Sequence, residues 1–438
     1  MKFISTRDTT ERREVSFGEA MFRGLAPDGG LYHAAEDPDL RALVRSFGAD
    51  MSFVDLAGAL IQGLFPEEYD AAGARQLALK AFPFEPKLTS LEPGVVLLEL
   101  FHGPSCAFKD FGASFLAAAM EEHLHARGER AVILTATSGD TGSAVANAFF
   151  GRDHIDVVIL YPSGRVSPLQ EQQLTTLGGN VLALEVEGAF DDCQRMVKEA
   201  FVDEELTEHL NLTSANSINV GRLIPQSFYY IYTFAQLKDE VADEIVFSVP
   251  SGNFGNLTAG VMAWRWGMPV SEFVAATNAN DVVPQYLKTG IYTPRPSLQT
   301  LANAMDVGNP SNFERLQEIF SAGVLDINSL ISGVSVSDQD IAATMKEVWQ
   351  TTGTLICPHT ATGVFAARRR LERERGSNAT VVTLATAHPA KFVEVSRSAV
   401  GVEPEIPERL ARLLSLEKRS VAVQPTVEDL RRVLLERL

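Results

Sequence analysis

The sequence predicts an α/β protein: two parallel-sheet α/β domains with an additional N-terminal region. Three observations predict it. Beyond about residue 95, short apolar runs of strand character alternate with helix-like stretches. Strands that are apolar throughout belong in parallel sheets covered by helices on both faces. Two of the turns that leave these strands are rich in glycine and small polar residues, and sheets of this kind hold ligands at the carboxyl ends of their strands. The chain before residue 95 lacks the alternation.

The N-terminal region, 1–95, carries helix-like stretches at 40–47 and 53–64. Turn signals follow at Phe82-Pro83-Phe84-Glu85-Pro86 and Glu92-Pro93-Gly94, which place a boundary near residue 95. A first α/β domain, 96–244, holds a helix-like stretch at 113–120, strands at 131–135, 155–160 and 181–186, and helices at 144–150 and 169–177. A second, 245–395, opens on the strand 245–249, turns through glycine into a helix, and adds strands at 273–276 and 381–384. The last stretch, 396–438, is expected to be a helical tail, because Leu430, Val433 and Leu434 share one face of 427–438. That face is expected to pack against the body of the protein.

Composition narrows the function. There are 38 Lys and Arg against 56 Asp and Glu, a net charge of −18. Such a surface argues against nucleic acid, whose phosphates need clustered cations, but leaves room for a small anionic substrate. Cys106, Cys193 and Cys357 form no C-x-x-C pair and are odd in number, which fits a reducing cytoplasm without disulfides. Cys106 is read as a small buried residue and not as a nucleophile. No secretory leader, membrane span or metal site is expected.

Three segments carry the chemistry. Pro250-Ser251-Gly252-Asn253-Phe254-Gly255-Asn256-Leu257 follows a strand and leads into a helix. Glycines allow close backbone approach, and the first N–H groups of a helix have no internal partners, so the turn suits a phosphate. It matches neither a dinucleotide fingerprint nor a P-loop. A plain capped turn is the other reading. Thr137-Ser138-Gly139-Asp140-Thr141-Gly142 repeats the arrangement after the 131–135 strand. Here Asp140 either caps the helix or holds a protonated partner. The third segment is His102-Gly103-Pro104-Ser105-Cys106-Ala107-Phe108-Lys109-Asp110-Phe111. Apolar surroundings depress a lysine pKa, which an amine needs to form a Schiff base. The alternative is a lysine lying over apolar groups with its head in water. A reactive lysine, a phosphate cup and a carboxylate cradle are together the parts a pyridoxal-phosphate site requires.

At these segments the chain resembles the threonine synthases, fold-type II pyridoxal-phosphate enzymes, and their fungal and enterobacterial branch in particular. Besides the three segments, the resemblance rests on Ser5-Thr6-Arg7, Leu25-Ala26-Pro27-Asp28-Gly29-Gly30-Leu31-Tyr32, Ser214-Ala215-Asn216-Ser217-Ile218-Asn219 and Thr386-Ala387-His388-Pro389-Ala390-Lys391-Phe392, in that order along nearly the whole chain. It implies that Lys109 carries pyridoxal 5'-phosphate as a Schiff base and acts as the catalytic base. Gly252, Asn253, Phe254, Gly255 and Asn256 would hold the cofactor phosphate, Thr386 would face the pyridine nitrogen, and Asp140 would lie near the ring hydroxyl. Ser138, Gly139 and Thr141 would bind the amino-acid end of the substrate, and Ser217, Asn219 and Arg222 its phosphate. His102 and His388 adjoin turns and are expected to make structural hydrogen bonds.

The implied reaction is that of a carbon–oxygen lyase, the last step of threonine biosynthesis: O-phospho-L-homoserine and water give L-threonine and phosphate. A related phospho-lyase, releasing a 2-keto acid, ammonia and phosphate, is the alternative. A serine or threonine dehydratase fits the 216–222 stretch less well, and a nucleotide enzyme lacks its fingerprint. The resemblance favours a monomer over a dimer.

Overall fold

The structure, a computed structural model, describes residues 1–137, 139–241, 244–321, 326–374 and 378–438. Its strands are β1 (Phe3–Ser5), β2 (Tyr32–Ala34), β3 (Lys87–Glu92), β4 (Val95–Glu99), β5 (Ala131–Ala136), β6 (Ile155–Pro162), β7 (Val181–Val186), β8 (Leu212–Thr213), β9 (Ile245–Pro250), β10 (Glu272–Thr277), β11 (Ile331–Ser335), β12 (Thr380–Ala385) and β13 (Ser420–Val423). β1 and β2 form a small antiparallel pair. The larger sheet runs β11-β10-β9-β12-β4-β3 and the other β13-β7-β6-β5-β8. Every pairing in these two sheets is parallel except β3 with β4.

The central strands are parallel because helices cover both faces. All six residues of β9 are buried, as are seven of the eight in β6. The helix Pro358–Arg373 lies so close to the larger sheet that a Cβ on Gly363 would stand 2.7 Å from Thr383 Cγ2. Its Gly363 carbonyl accepts a 2.7 Å hydrogen bond from Ser248 Oγ in β9.

The helix Lys109–Arg127 links the sheets to the N-terminal region. Phe111 meets Phe53 edge-on at 5.5 Å, and Phe115 lies parallel to Phe82 at 6.3 Å. Each such aromatic pair adds about 0.5–1.5 kcal/mol beyond the area it buries. The helix stops at Gly128, which takes the left-handed conformation that glycine adopts without strain. The lysine at its first position is thereby fixed from behind.

Two expectations change. The boundary near 95 falls inside the β3–β4 hairpin, whose second strand pairs with β12 and so belongs to the larger sheet. Pro93-Gly94 is the hairpin turn, not a linker. The tail 396–438 is not helical throughout: β13 pairs with β7 before the final helix Val427–Arg437 packs Leu430, Val433 and Leu434 into the core. Four residues are too few for a periodic signal. Among the described residues no helix is long and apolar enough to cross a membrane.

Candidate active site

Lys109 is the first residue of its helix, and the loop before it is sewn to the loop after β12. The Phe108 N–H donates to the Thr386 carbonyl at 2.8 Å, and the His388 N–H donates to the Cys106 carbonyl at 3.0 Å. The lysine and Thr386, both singled out from the sequence, therefore sit on adjoining strands of backbone at one end of the larger sheet. The Lys109 side chain keeps some exposed surface, but its amine is packed among protein atoms. Burial lowers its pKa to about 8; Asp140 pulls it upward, and Arg222 and Lys391 push it further down. At pH 7 about a tenth of it is then free amine, far more than for an ordinary lysine.

Asp140 begins the helix Asp140–Phe149 directly after β5 and its glycine turn. Its partner among the described residues is Lys391, whose Nζ lies 2.6 Å from Asp140 Oδ1, with both side chains buried. Gln170 Nε2 donates to the same oxygen at 2.9 Å. Burial alone would raise the Asp140 carboxyl, but the Lys391 and Lys109 ammoniums hold it well below the usual carboxylate range. Gly139, at φ +147, lies against Gln170, and a Cβ there would meet its amide at 2.6 Å. Ser138 lies outside the described residues.

The turn after β9 has the form of an anion cup. Phe254 takes the left-handed conformation, φ 61, with its ring buried and set edge-on to Phe313 at 6.3 Å. Such strain in a non-glycine residue costs about 1–3 kcal/mol and persists where packing enforces it. Gly255 and Asn256 open the helix Gly255–Arg265, so their N–H groups point out of its first turn without helical partners. A Cβ on Gly252 would stand 2.7 Å from the Met305 Cα, which excludes any larger residue there. Asn253 bridges two loops: its Nδ2 donates to Ser217 Oγ at 2.7 Å, and its Oδ1 accepts from the Ser311 N–H at 2.6 Å. The Asn256 side chain turns inward. Its Oδ1 accepts from Tyr229 Oη at 2.5 Å and Tyr230 Oη at 2.8 Å, while Nδ2 is buried without a partner among the described residues.

A cavity of about 250 Å³ opens beside the two cradles. Thr137, Thr141, Asn216, Ser217 and Asn253 line it, so Thr141, Ser217 and Asn253 come together from three separate segments. One expected substrate ligand, Asn219, is placed differently. Asn219 is fully buried, caps the short helix Val220–Leu223 by accepting from the Gly221 N–H, and spends Nδ2 on the Met21 and Ser214 carbonyls. It is a structural tie to the N-terminal region. Arg222 is buried too, and not the surface ion pair that its type suggests. One of its terminal nitrogens donates to the Ala215 carbonyl at 2.7 Å, while Nε has no partner among the described residues. Burial brings its pKa to about 10, against the pull of Asp110, so it is cationic at neutral pH. Among the described residues no group of His, Cys, Asp and Glu is arranged to hold a metal ion.

Residues 84–387 match the family model for pyridoxal-phosphate dependent enzymes, residues 2–82 that for the threonine synthase N terminus, and residues 360–434 that for the threonine synthase C-terminal part. The threonine synthase of Serratia marcescens is 41% identical over 437 residues, 99% of each chain. This chain belongs to the threonine synthase family. The crystal structure of threonine synthase from Escherichia coli superposes with a TM-score of 0.89 at 39% identity, covering 100% of both chains. That of the PLP-bound threonine synthase from Brucella melitensis does so at 0.92 and 37%, covering 100% of this chain and 99% of that one.

With the threonine synthase fold in place, the residues that sequence reasoning passed over become visible. Lys391 is one of these: it stands between the apolar Ala390 and Phe392 and has no local signal of a role. Tyr229 and Tyr230 carried no signal beyond the helix Gln226–Leu237 that holds them. His359 accepts from the Ala304 N–H at 3.1 Å and is kept neutral by burial, which lowers its pKa to about 4. His388 uses Nδ1 to accept from the Ala390 N–H at 3.2 Å, the structural bond expected of it, and His102 pairs with Glu99 at 2.8 Å. Cys106 is buried, with its pKa raised mainly by that burial, as a structural cysteine should be.

Proposed function

We propose that this chain converts O-phospho-L-homoserine and water into L-threonine and phosphate, with Lys109 as the cofactor-carrying amine and the catalytic base. The observation that carries the reading is a lysine of lowered pKa at a helix start, hydrogen-bonded through its loop to Thr386 and facing a carboxylate that another cation already neutralises. The residues present fit pyridoxal phosphate. Gly252 leaves no room for a side chain, the helix start at Gly255 offers free N–H groups, and Asn256 Nδ2 is a buried donor without a partner. A phosphate suits such a place.

In this reading Gly252, Asn253, Phe254, Gly255 and Asn256 hold the cofactor phosphate, mainly through backbone N–H groups. The Thr386 hydroxyl faces the pyridine nitrogen, and Asp140 stands by the ring hydroxyl. Pyridoxal phosphate, when bound, supplies the electron sink for charge that develops beside the substrate amine. Lys109 Nζ takes the Cα proton and at the end returns one there, and in between it moves a proton from Cβ to Cγ as the phosphate departs from Cγ. Water adds at Cβ. Ser138, Gly139 and Thr141 orient the substrate carboxylate. Ser217, with its hydroxyl held by Asn253, and Arg222, through its unpartnered Nε–H, receive the departing phosphate. Asn219 acts by holding that loop in place.

The domain plan belongs to the same proposal. An N-terminal region precedes β3, one unit is built on each large sheet, and the chain enters the six-stranded sheet twice. A cytoplasmic setting is supported by three cysteines that are all free and buried.

The test is product identity. The purified chain given O-phosphohomoserine is expected to release threonine and phosphate in equal amounts. A keto acid with ammonia in place of threonine would assign the chain to the phospho-lyases. Lys109→Ala is expected to abolish the visible absorbance of the lysine-bound cofactor and to lower kcat by about 10³-fold or more. Retained absorbance would place the cofactor on another lysine.

A further inference from the structure

Lys391 is a buried cation of the site. It lies in the short turn Pro389–Phe392 that follows β12, and its side chain is 0% exposed. Among the described residues its Nζ has two partners, Asp140 Oδ1 at 2.6 Å and the Ser105 carbonyl at 2.8 Å. Gln173 Nε2 donates to the same carbonyl at 3.2 Å, and Gln170 Nε2 to the same carboxylate oxygen at 2.9 Å. One ammonium thus joins the turn after β12, the start of the helix after β5, and the loop that ends at Lys109. Burying an ion pair costs both partners their hydration, and the gain in stability is often nil. The pair is placed where its charge matters for something else.

That something is Lys109. The charged and titratable groups facing it are Asp140 from the helix Asp140–Phe149, Arg222 from the helix Val220–Leu223, Lys391 from the turn, and neutral His359 from the helix Pro358–Arg373. Asp110 follows it on its own helix, and burial raises the Asp110 carboxyl to about 6. Asp140 is the group among these that draws Lys109 towards the ammonium form. With Asp140 clamped to a second ammonium, its field at Lys109 is largely cancelled.

We propose that Lys391 is a positioning residue: by holding and neutralising Asp140 it keeps that carboxylate from trapping Lys109 as an ammonium, so that Lys109 remains a reactive amine. The inference rests on the reading of Lys109 as the cofactor-carrying lysine. No bond is made or broken at Lys391.

The test titrates Lys109 in the full-length chain freed of cofactor. Acetic anhydride labelling is followed by peptide mass spectrometry across pH, with exposed Lys288 as the internal standard. The wild-type midpoint is expected near 8. In Lys391→Met, Asp140 has Lys109 as its remaining close ammonium. The midpoint should rise by about one unit or more, and labelling at pH 8 should fall about fivefold or more. Lys391→Arg, which keeps the charge, should stay near the wild type. Asp140→Asn/Lys391→Met should return the midpoint to the wild-type value or below, a rescue that a merely structural role would not give. A Lys391→Met midpoint equal to that of the wild type, in a chain with an intact thermal transition, overturns the proposal, as does a double variant that fails to restore it. If Lys391→Met does not fold, Asp140→Asn decides: a lowered midpoint supports the clamp, and an unchanged one overturns it. Attachment of the cofactor to another lysine would sink the reading of Lys109 and leave these midpoints as they are.

Discussion

Asn256 ties the glycine turn to the interior of the protein. Two buried tyrosines donate to its Oδ1, and burial raises both phenols well above their ordinary pKa, so neither ionises to escape the bond. Asn256→Ala would take the side-chain acceptor from both hydroxyls, leaving Tyr230 with the residue-256 carbonyl at 3.0 Å and Tyr229 with Gln226 Oε1 at 3.4 Å. Each lost hydrogen bond costs about 0.5–1.5 kcal/mol, so a loss of roughly 1–3 kcal/mol in urea denaturation is expected, together with weaker cofactor retention in absorbance titrations. Tyr229→Phe, which removes one donor cleanly, should cost much less. Equal stability of Asn256→Ala and the wild type would contradict this account of the turn. At this scale the sequence was informative wherever one residue type in one context suffices. Lys109 stood out by its apolar neighbours, and the cup by its glycines. The Asp140–Lys391 pair did not stand out, because its partners are far apart in the chain and only the fold brings them within 2.6 Å. Arg222 was found by its place in a motif, but its burial follows from packing that no local pattern encodes.

The helix Lys109–Arg127 and the short helix Val220–Leu223 touch through backbone. A Cβ on Gly112 would stand 2.5 Å from the Arg222 carbonyl oxygen and 3.5 Å from its Cα. No side chain can yield there, so Gly112→Ala must push the two elements apart. Overpacking of this kind costs about 1–3 kcal/mol. Because Arg222 moves with its helix, kcat/KM for O-phosphohomoserine should fall by about tenfold or more while the lysine-bound cofactor absorbance persists. Ala118→Gly on the same helix, a propensity change of about 1 kcal/mol, should leave kcat/KM near the wild type. Equal kinetic losses in both variants would show that general loosening, and not the Gly112 contact, is responsible. Elements were legible in proportion to their length and burial. The apolar runs of β5, β6, β7, β9, β10 and β12 are all among the expected strands, whereas short β1, β2, β8 and β13, the half-exposed β3 and β11, and β4, masked by the Pro93-Gly94 turn before it, are not.

The whole molecule carries a sensitivity to acid. His33, His359 and His388 all have pKa values lowered to about 4, each chiefly by burial. Unfolded histidine titrates near 6.5, so between those values the unfolded chain binds more protons and stability falls as pH falls. Asp110 opposes this below its pKa of about 6, since the folded state there keeps a proton that the unfolded state releases. With His33 and His388 discounted for their partial exposure, lowering the pH from 7 to 5 should cost on the order of 2 kcal/mol in unfolding free energy. Urea denaturation at the two pH values checks it, and undiminished stability at pH 5 would refute it. The order of the strands has a consequence for the birth of the protein. β12 lies between β9 and β4, yet it begins at Thr380, about 280 residues after β4 ends. At about 5–20 residues per second, a growing chain holds β4 without its parallel neighbour for roughly 15–55 s. A ribosome that stalls before Thr380 therefore displays two open strand edges facing a missing keystone, an invitation to chaperones and proteases rather than a partly working enzyme.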